Sequence, residues 1–338
     1  MNWRVRAAGL ADLDALFGFA TMTGGGFTNL PPDRDTLAAK LERSEAAFAR
    51  PESPPEDELY LLALEEVATG EVVGTAQIFS RVGVRWPFYS YRLATLTQTS
   101  QQLRRTFRAE MLNLVTDFEG ATEVGGLFLH PEKRRDGVGR LLARSRYLFI
   151  AMHRRRFGEE VMAELRGRLD EKGSSPFWEG LGEKFFGMSF QEADSFNALH
   201  GNQFIADLMP KHPIYTALLS DDARAAIGQV HDSGKPALAM LEEEGFRYDG
   251  YIDIFDGGPA VSIRTEQLRT VREARKATLG GVMPPGSGVP AIVASGRGNM
   301  FNATFADIDA QGDSVLIDAA GRSALSLDAG EEVTYALR

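Results

Sequence analysis

The sequence contains no cysteine among its 338 residues. This absence excludes disulfide bonds, thiolate metal sites, iron–sulfur clusters held by cysteine and cysteine nucleophiles. Histidine is scarce as well, because only five occur and no two of them are spaced as an HxxxH or HExxH pair. The sequence therefore predicts no metal centre and no tightly bound cofactor, and it fits a reducing compartment.

Long apolar runs are also missing from the sequence. No stretch approaches the roughly 20 apolar residues that a membrane-spanning helix needs. Near the N-terminus, Asp12 and Asp14 interrupt the apolar residues before they reach the length of a signal peptide. We therefore expect a cytoplasmic protein without a membrane partner.

Positively charged residues are fewer than negatively charged ones. Lysine and arginine number 37 against 47 aspartates and glutamates, which gives a formal charge of -10. A negative field of this size repels polyanions, so we expect no nucleic-acid partner. An anionic ligand would need a local basic patch. The hydrophobic content of 43% predicts a sizeable core and more than one packed unit.

Hydrophobic spacing along the chain predicts an alternation of strands and helices. The N-terminal part shows an order of strand, helix, helix, strand, strand at residues 3–6, 10–19, 33–48, 59–64 and 72–79. The segment 86–107 is left unassigned, because Pro87 and its aromatic neighbours fit either a strand or an ordered loop. The middle of the chain adds strands at 124–129, 161–165 and 248–255 and helices at 141–151 and 236–244.

Composition changes near residue 279. Residues 279–290 are rich in glycine and proline and follow a predicted short helix at 270–276, so they are predicted to form a linker. Short apolar runs beyond them predict a small β-barrel over residues 291–338. The expected domains are thus 1–278, with a helical and loop insertion at about 170–230, and 291–338.

A basic, glycine-containing loop connects the strand at 124–129 to the helix after it. Arg134-x-x-Gly137-x-Gly139 places glycines where backbone amides can converge at a helix N-terminus, and Lys133 and Arg135 add positive charge. Such a loop favours a pyrophosphate ligand. The short pattern alone fits an ordinary solvated strand–helix turn equally well, and no Gly-Lys-Ser/Thr of a Walker loop follows.

The order of these elements resembles the GNAT acyltransferase superfamily, in which an RxxGxG loop holds the pyrophosphate of CoA. Longer strings resemble the bacterial arginine N-succinyltransferase family. The strings are Thr23-Gly24-Gly25-Gly26, Phe88-Tyr89-Ser90-Tyr91-Arg92, Ser175-Pro176-Phe177-Trp178, Leu208-Met209-Pro210-Lys211-His212-Pro213-Ile214-Tyr215, Ile227-Gly228-Gln229-Val230-His231 and Tyr251-Ile252-Asp253-Ile254-Phe255-Asp256-Gly257-Gly258-Pro259.

The resemblance implies an α/β (α+β) fold: a GNAT-like mixed, largely antiparallel sheet flanked by helices, with the insertion and the small C-terminal β-barrel. It implies succinyl transfer from succinyl-CoA to the α-amine of L-arginine in arginine catabolism. Succinyl-CoA is then a co-substrate, and the chain is expected to form a homo-oligomer or a hetero-oligomer with a paralogous subunit. Two alternatives stay open, namely acyl transfer to ornithine or another amino acid, and a non-catalytic subunit of a two-subunit enzyme.

The family's site residues carry over to matching positions. His231 matches the proton donor, and without the resemblance it would be interpreted as a helix-entry residue. Leu127 matches a succinyl-CoA-binding position. The sequence departs from the family at His130, where Asp is usual, and at Asp232, where Pro is usual. The CoA-binding set predicted here is Leu127, Phe128, Leu129, Arg134, Arg135, Gly137, Val138 and Gly139.

The acceptor amino acid presents a guanidinium, which carboxylates or aromatic rings can bind, and a carboxylate, which an arginine can bind. Glu164 and Arg166, after the CoA helix, and Arg92 in the Tyr-Ser-Tyr-Arg string are the predicted acceptor-binding residues. Many GNAT enzymes carry a tyrosine acid on the later helix, where this sequence has Leu241. His231 could supply that proton instead.

Overall fold

The computed structural model describes residues 2–23, 29–135, 137–200, 203–284 and 286–338, without the side chains of 198–200 and 206. Its strands are β1 Trp3–Ala7, β2 Leu59–Glu66, β3 Glu71–Phe79, β4 Ser90–Ser100, β5 Arg105–Val115, β6 Thr122–Leu129, β7 Glu160–Glu164, β8 Ile214–Tyr215, β9 Arg247–Asp253, β10 Pro259–Arg264, β11 Arg275–Val282, β12 Val289–Ser295, β13 Asn302–Gln311, β14 Ser314–Ile317 and β15 Glu332–Leu337. Its helices are α1 Leu13–Met22, α2 Arg34–Ala49, α3 Val138–Met152, α4 Pro176–Gly180, α5 Glu183–Phe186, α6 Phe190–His200, α7 Gln203–Leu208, α8 Asp221–Ala226, α9 Lys235–Glu244, α10 Arg269–Glu273 and α11 Ala319–Leu325.

The chain forms two compact units. The first comprises Met1–Arg81, Thr122–Val161 and Arg264–Arg338, and the second comprises Val82–Ala121 and Met162–Ile263. None of the helices in the described part of the chain combines the length and apolar character that a bilayer crossing needs.

In the first unit, β1, β2, β3 and β6 follow one another as antiparallel neighbours in a sheet. Alternate side chains of β2 point to opposite faces, and both faces are buried. Leu61 packs with Leu16 of α1 and Leu37 of α2. On the other face, the ring of Tyr60 lies 5.1 Å from that of Phe149 in α3. The predicted order of strand, helix, helix, strand, strand is confirmed.

The C-terminal strands close into a five-stranded barrel in the order β11, β14, β13, β12, β15 and back to β11. The expected linker at 279–290 overlaps the end of β11 and the start of β12. Gly280 lies inside β11, and a Cβ at this position would lie 2.5 Å from Ser314 Oγ, so a side chain here would require the serine to rotate. The predicted helix at 270–276 ends at Glu273, since β11 begins two residues later.

The second unit contains the strand order β7, β10, β9, β4, β5, β8 together with helices α4–α9. The unassigned segment 86–107 contributes β4 and the start of β5, a long antiparallel hairpin. Trp178 and Phe190 of the insertion are buried with Phe255, whereas Phe185 is exposed. The predicted mixed, largely antiparallel sheet flanked by helices, with its helical insertion and C-terminal barrel, is confirmed.

Candidate active site

A β-bulge interrupts β6 at the predicted CoA-binding strand. The pairing register shifts between Thr75 and Gln77 of β3, where Gly126 and Leu127 together oppose one residue. Gly126 has φ +56°, and a Cβ there would lie 2.7 Å from the Gln77 side chain. Glycine is therefore required at this position. The bulge takes the Leu127 backbone out of the regular ladder and makes it the part of β6 best suited to bond a ligand carbonyl.

The side chains after the bulge belong to the core of the first unit. Phe128 is 7% exposed, and its ring stacks on Phe19 at 4.9 Å between centroids. Leu129 is buried, and Leu127 is half-buried. Phe128 and Leu129 thus hold the strand in place, and any ligand contact they make comes from their backbone.

The loop after β6 leads directly into α3. Gly137 adopts the left-handed conformation, φ +75°, and precedes the first residue of the helix. Val138 is buried, which anchors the first turn. The amides of a helix's first turn lack intrahelical partners and face a partial positive charge, so this geometry suits a phosphate group. Asp136 lies outside the described residues.

The basic residues of the loop differ in their surroundings. Lys133 Nζ lies 3.4 Å from a Glu66 carboxylate oxygen and 3.2 Å from one of Glu71. Both hydrogen bonds raise the pKa of Lys133, and the bond to Glu71 has the larger effect. Arg134 is exposed and donates from Nε to the Leu129 carbonyl oxygen at 3.1 Å, which holds its guanidinium at the end of β6. Lys133 is therefore neutralised locally, whereas Arg134 remains available to an anionic ligand.

His231 lies in the second unit, in the turn before α9. Its Nδ1 is 2.8 Å from Ser233 Oγ and accepts the Ser233 N–H at 3.3 Å. The Ser233 hydroxyl can donate to Nδ1 or accept from an Nδ1–H, so this ring nitrogen keeps a partner in either tautomer. Among the residues that the structure describes, Nε2 has no hydrogen-bond partner, so it is the ring nitrogen open to a ligand.

The structure brings His231 together with two predicted acceptor-binding residues. The His231 N–H donates to the Arg166 carbonyl oxygen at 2.8 Å, and a β-bridge joins Gly167 to Val230. Glu164 and Arg166 are two residues apart at the end of β7, where an extended chain points alternate side chains to the same face. Both side chains are half-buried.

Sequence reasoning missed the acidic residues that surround these side chains. Glu164 interacts with the buried carboxyl group of Asp253. Burial raises the pKa of Asp253 and of Asp194. Burial, with the charge of Asp253, also raises the pKa of Asp256 to about 7.

The backbone around Asp256 explains how this carboxylate is held. It accepts N–H groups from Gly167 at 2.7 Å and Gly258 at 2.8 Å. Both glycines pass so close to neighbouring backbone that a Cβ would collide with it. The sequence signal for this arrangement is the Asp253-x-x-Asp256-Gly257-Gly258 pattern, which lies within one of the family strings.

Arg92 has different surroundings from Glu164 and Arg166. Its side chain is 54% exposed and lies 3.6 Å from Asp117, over the ring of Tyr251 at 5.1 Å. Tyr251 in turn donates its hydroxyl to Asp117 at 2.7 Å. These contacts account for Arg92 as a surface residue, and its acceptor-binding role stays a prediction. Within the described ranges, no three His, Asp or Glu side chains are grouped as metal ligands.

The sequence matches the family described as "Arginine N-succinyltransferase beta subunit" over residues 3–270, and it matches the C-terminal domain of that same beta subunit over residues 275–336. Relatives named arginine N-succinyltransferase from Salmonella paratyphi B and Salmonella newport are each 42% identical over 330 residues, which cover 97% of this chain and 96% of theirs. The solved structure of arginine/ornithine succinyltransferase subunit AI from Pseudomonas aeruginosa matches with a TM-score of 0.90 at 33% identity, covering 99% of this chain and 98% of that one.

Proposed function

We propose, because the chain belongs to the arginine N-succinyltransferase family, that it transfers the succinyl group of succinyl-CoA to the α-amine of L-arginine. The family resemblance predicted from the sequence strings is confirmed, and the chain is an acyltransferase. The observation that carries the proposal is the 42% identity to enzymes of that name across 97% of the chain.

The first unit supplies the features that binding of the acyl donor requires. We place the pyrophosphate of succinyl-CoA at the N-terminus of α3, with Arg134 and the backbone of Gly137, Val138 and Gly139. The backbone at the β6 bulge, near Leu127, would donate to the thioester oxygen as negative charge develops on it. These contacts position a thioester that needs little further activation.

His231 supplies the proton transfer in this proposal. The neutral amine attacks the thioester carbon, the new C–N bond forms, and the C–S bond breaks. The CoA thiolate takes its proton from Nε2 of the His231 imidazolium, and the amine nitrogen loses one proton to the surroundings. The contact of Nδ1 with Ser233 supports this assignment, because it leaves Nε2 as the ring nitrogen that can face the thiolate.

For the acceptor, we propose that the guanidinium of arginine meets Glu164 and that Arg166 binds the α-carboxylate. The backbone hydrogen bond from His231 to Arg166 supports this choice, because it places the two residues side by side. Arg92 is a further predicted contact. We also infer an oligomer, homomeric or with a paralogous subunit, in the cytoplasm, where acyl-CoA thioesters are made and used.

The test is identification of the product. The purified chain is incubated with succinyl-CoA and an equimolar mixture of arginine, ornithine and lysine, and the acylated amino acids are identified by mass spectrometry. We expect arginine succinylated on its α-amine as the main product. Succinyl-ornithine as the main product would show that ornithine, and not arginine, is the acceptor. The absence of any product would favour a subunit that needs its paralogue.

A further inference from the structure

A cavity of about 560 Å³ lies in the first unit beside the N-terminus of α3. Its lining includes Trp3 of β1, Arg135 of the basic loop, Val138 and Leu141 of α3, and Phe305 and Arg338 of the C-terminal region. This volume falls within the range of sites for small organic ligands, roughly 300–1,000 Å³. The lining combines an apolar surface with two guanidinium groups, so it suits a flat apolar group that carries negative charge.

Arg338 contacts two neighbours at this cavity. Its backbone N–H donates to the Pro290 carbonyl oxygen at 2.9 Å, and its guanidinium carbon lies 4.3 Å from the centre of the Phe305 ring. The guanidinium also reaches Gly137, where an added Cβ would collide with it. The barrel thus places a cation against the glycine that precedes α3.

The side chain of Arg338 has no carboxylate partner among the residues that the structure describes. A guanidinium stacked on an aromatic ring keeps its N–H groups in one plane, free to bond an anion at the ring's edge. Arginine binds phosphate through two parallel hydrogen bonds, which favours a phosphate over an uncharged apolar ligand here. Arg135 adds a second positive charge to the lining.

We propose that this cavity binds the 3′-phosphoadenosine end of the acyl-CoA, with Arg338 on the 3′-phosphate. The adenine enters the cavity beside the half-buried ring of Phe305. The inference rests on the proposed function, since it takes an acyl-CoA as the donor. It gives the C-terminal barrel a part in recognising the CoA carrier of the donor, separate from the succinyl group.

The test compares ligands that differ only at the 3′ position. Calorimetry gives the dissociation constants of CoA and 3′-dephospho-CoA for the native chain, Arg338→Ala and Arg275→Ala. Arg275 is a matched control, because it is an exposed arginine of β11 outside the cavity lining. Thermal unfolding establishes that each variant is folded.

We expect Arg338→Ala to weaken CoA binding about tenfold or more, the range of one charge-assisted contact. It should change 3′-dephospho-CoA binding less than about twofold, and Arg275→Ala should change neither. Equal weakening of both ligands, or no weakening of either, would overturn the assignment.

Adenosine 3′,5′-bisphosphate separates this inference from the proposed function. It contains the proposed contacts without pantetheine or an acyl group, and we expect the native chain to bind it more tightly than adenosine 5′-phosphate. This preference should disappear in Arg338→Ala. If the preference holds and no succinyl transfer occurs, the cavity assignment stands and the proposed function fails. If succinyl transfer occurs without the preference, the cavity assignment alone fails.

Discussion

The loop before α3 and the turn that carries His231 have different roles. The loop is suited to binding an anion through its backbone, and the turn is suited to proton transfer through a side chain. The β6 bulge and the loop depend on backbone conformation: Gly126 and Gly137 both have positive φ, which L side chains rarely adopt. The His231 turn is made from side chains, with Nδ1 held by Ser233. Backbone geometry suits binding of an anion, whereas a titratable ring suits proton transfer, so substitutions in the two regions should change different kinetic constants.

The largest effect is expected at His231. His231→Ala should lower kcat by about 100-fold or more, with KM for succinyl-CoA changed less than about twofold, because a proton donor acts in the transition state. Steady-state thiol release across pH measures both constants. His212→Ala is the control, since His212 is an exposed histidine of the same unit. Nearly full turnover of His231→Ala at every pH would contradict the proton-donor role.

At Gly137 we expect the opposite pattern, with a large change in KM and a small change in kcat. Gly137→Val should raise KM for succinyl-CoA about tenfold or more and lower kcat much less, because a branched side chain cannot adopt φ +75° easily and would meet Arg338. Gly312→Ala is the control for backbone strain, since Gly312 has φ +64° and open space around it. An unchanged KM in a folded Gly137→Val variant would remove the loop from the donor site.

His153, a buried histidine of the first unit, differs from His231 in the hydrogen bonds of its ring. The Nδ1–H of His153 donates to the Phe149 carbonyl oxygen at 3.1 Å, and Nε2 accepts the Gly298 N–H at 3.2 Å, so both nitrogens are satisfied in the neutral ring. Burial lowers the pKa of His153 to about 4. The unfolded chain therefore binds the proton first as pH falls below about 6.5.

Stability should consequently fall between about pH 6.5 and 4, by on the order of 3 kcal/mol from His153 alone. Urea unfolding of the native chain and His153→Gln at pH 7 and 4.5 measures the difference, and the variant should lose less free energy of unfolding over this interval. Parallel losses in both proteins would show that His153 is not the group responsible.

The smallest effect is expected at Lys133. Its ammonium group already has the carboxylates of Glu66 and Glu71, so it adds little to binding of a phosphate. Lys133→Ala should raise KM for succinyl-CoA less than about twofold, and Arg134→Ala, the matched variant, should raise it several-fold. A larger effect of Lys133→Ala than of Arg134→Ala would show that Lys133, and not Arg134, is the main contact to the phosphate.

The sequence was most informative where local spacing determines structure. The first five elements and the loop before α3 follow from hydrophobic periodicity and glycine position, and they need no distant contact. The segments 86–107 and 279–290 were harder, because proline, aromatic residues and glycine occur there inside strands. Gly280 belongs to β11 for a reason visible only in the fold, namely its approach to Ser314.

The candidate sites show the same limit. A histidine in a turn carries no local signal of proton transfer, so His231 was assigned through the family strings alone. The cavity beside α3 joins Trp3, Val138, Phe305 and Arg338, which are far apart in the chain. No short motif contains such a set, because strand pairing in the fold brings its members together.

The most direct measurement is thiol release by the purified chain with no other protein added. Succinyl-CoA and acetyl-CoA are each tested against arginine, with buffer lacking an amine as the blank. We predict turnover with succinyl-CoA and arginine that is far faster than with acetyl-CoA, and His231→Ala should abolish most of it. No turnover with either donor, in a folded chain that binds CoA, would contradict the proposal that this chain is a competent succinyltransferase by itself.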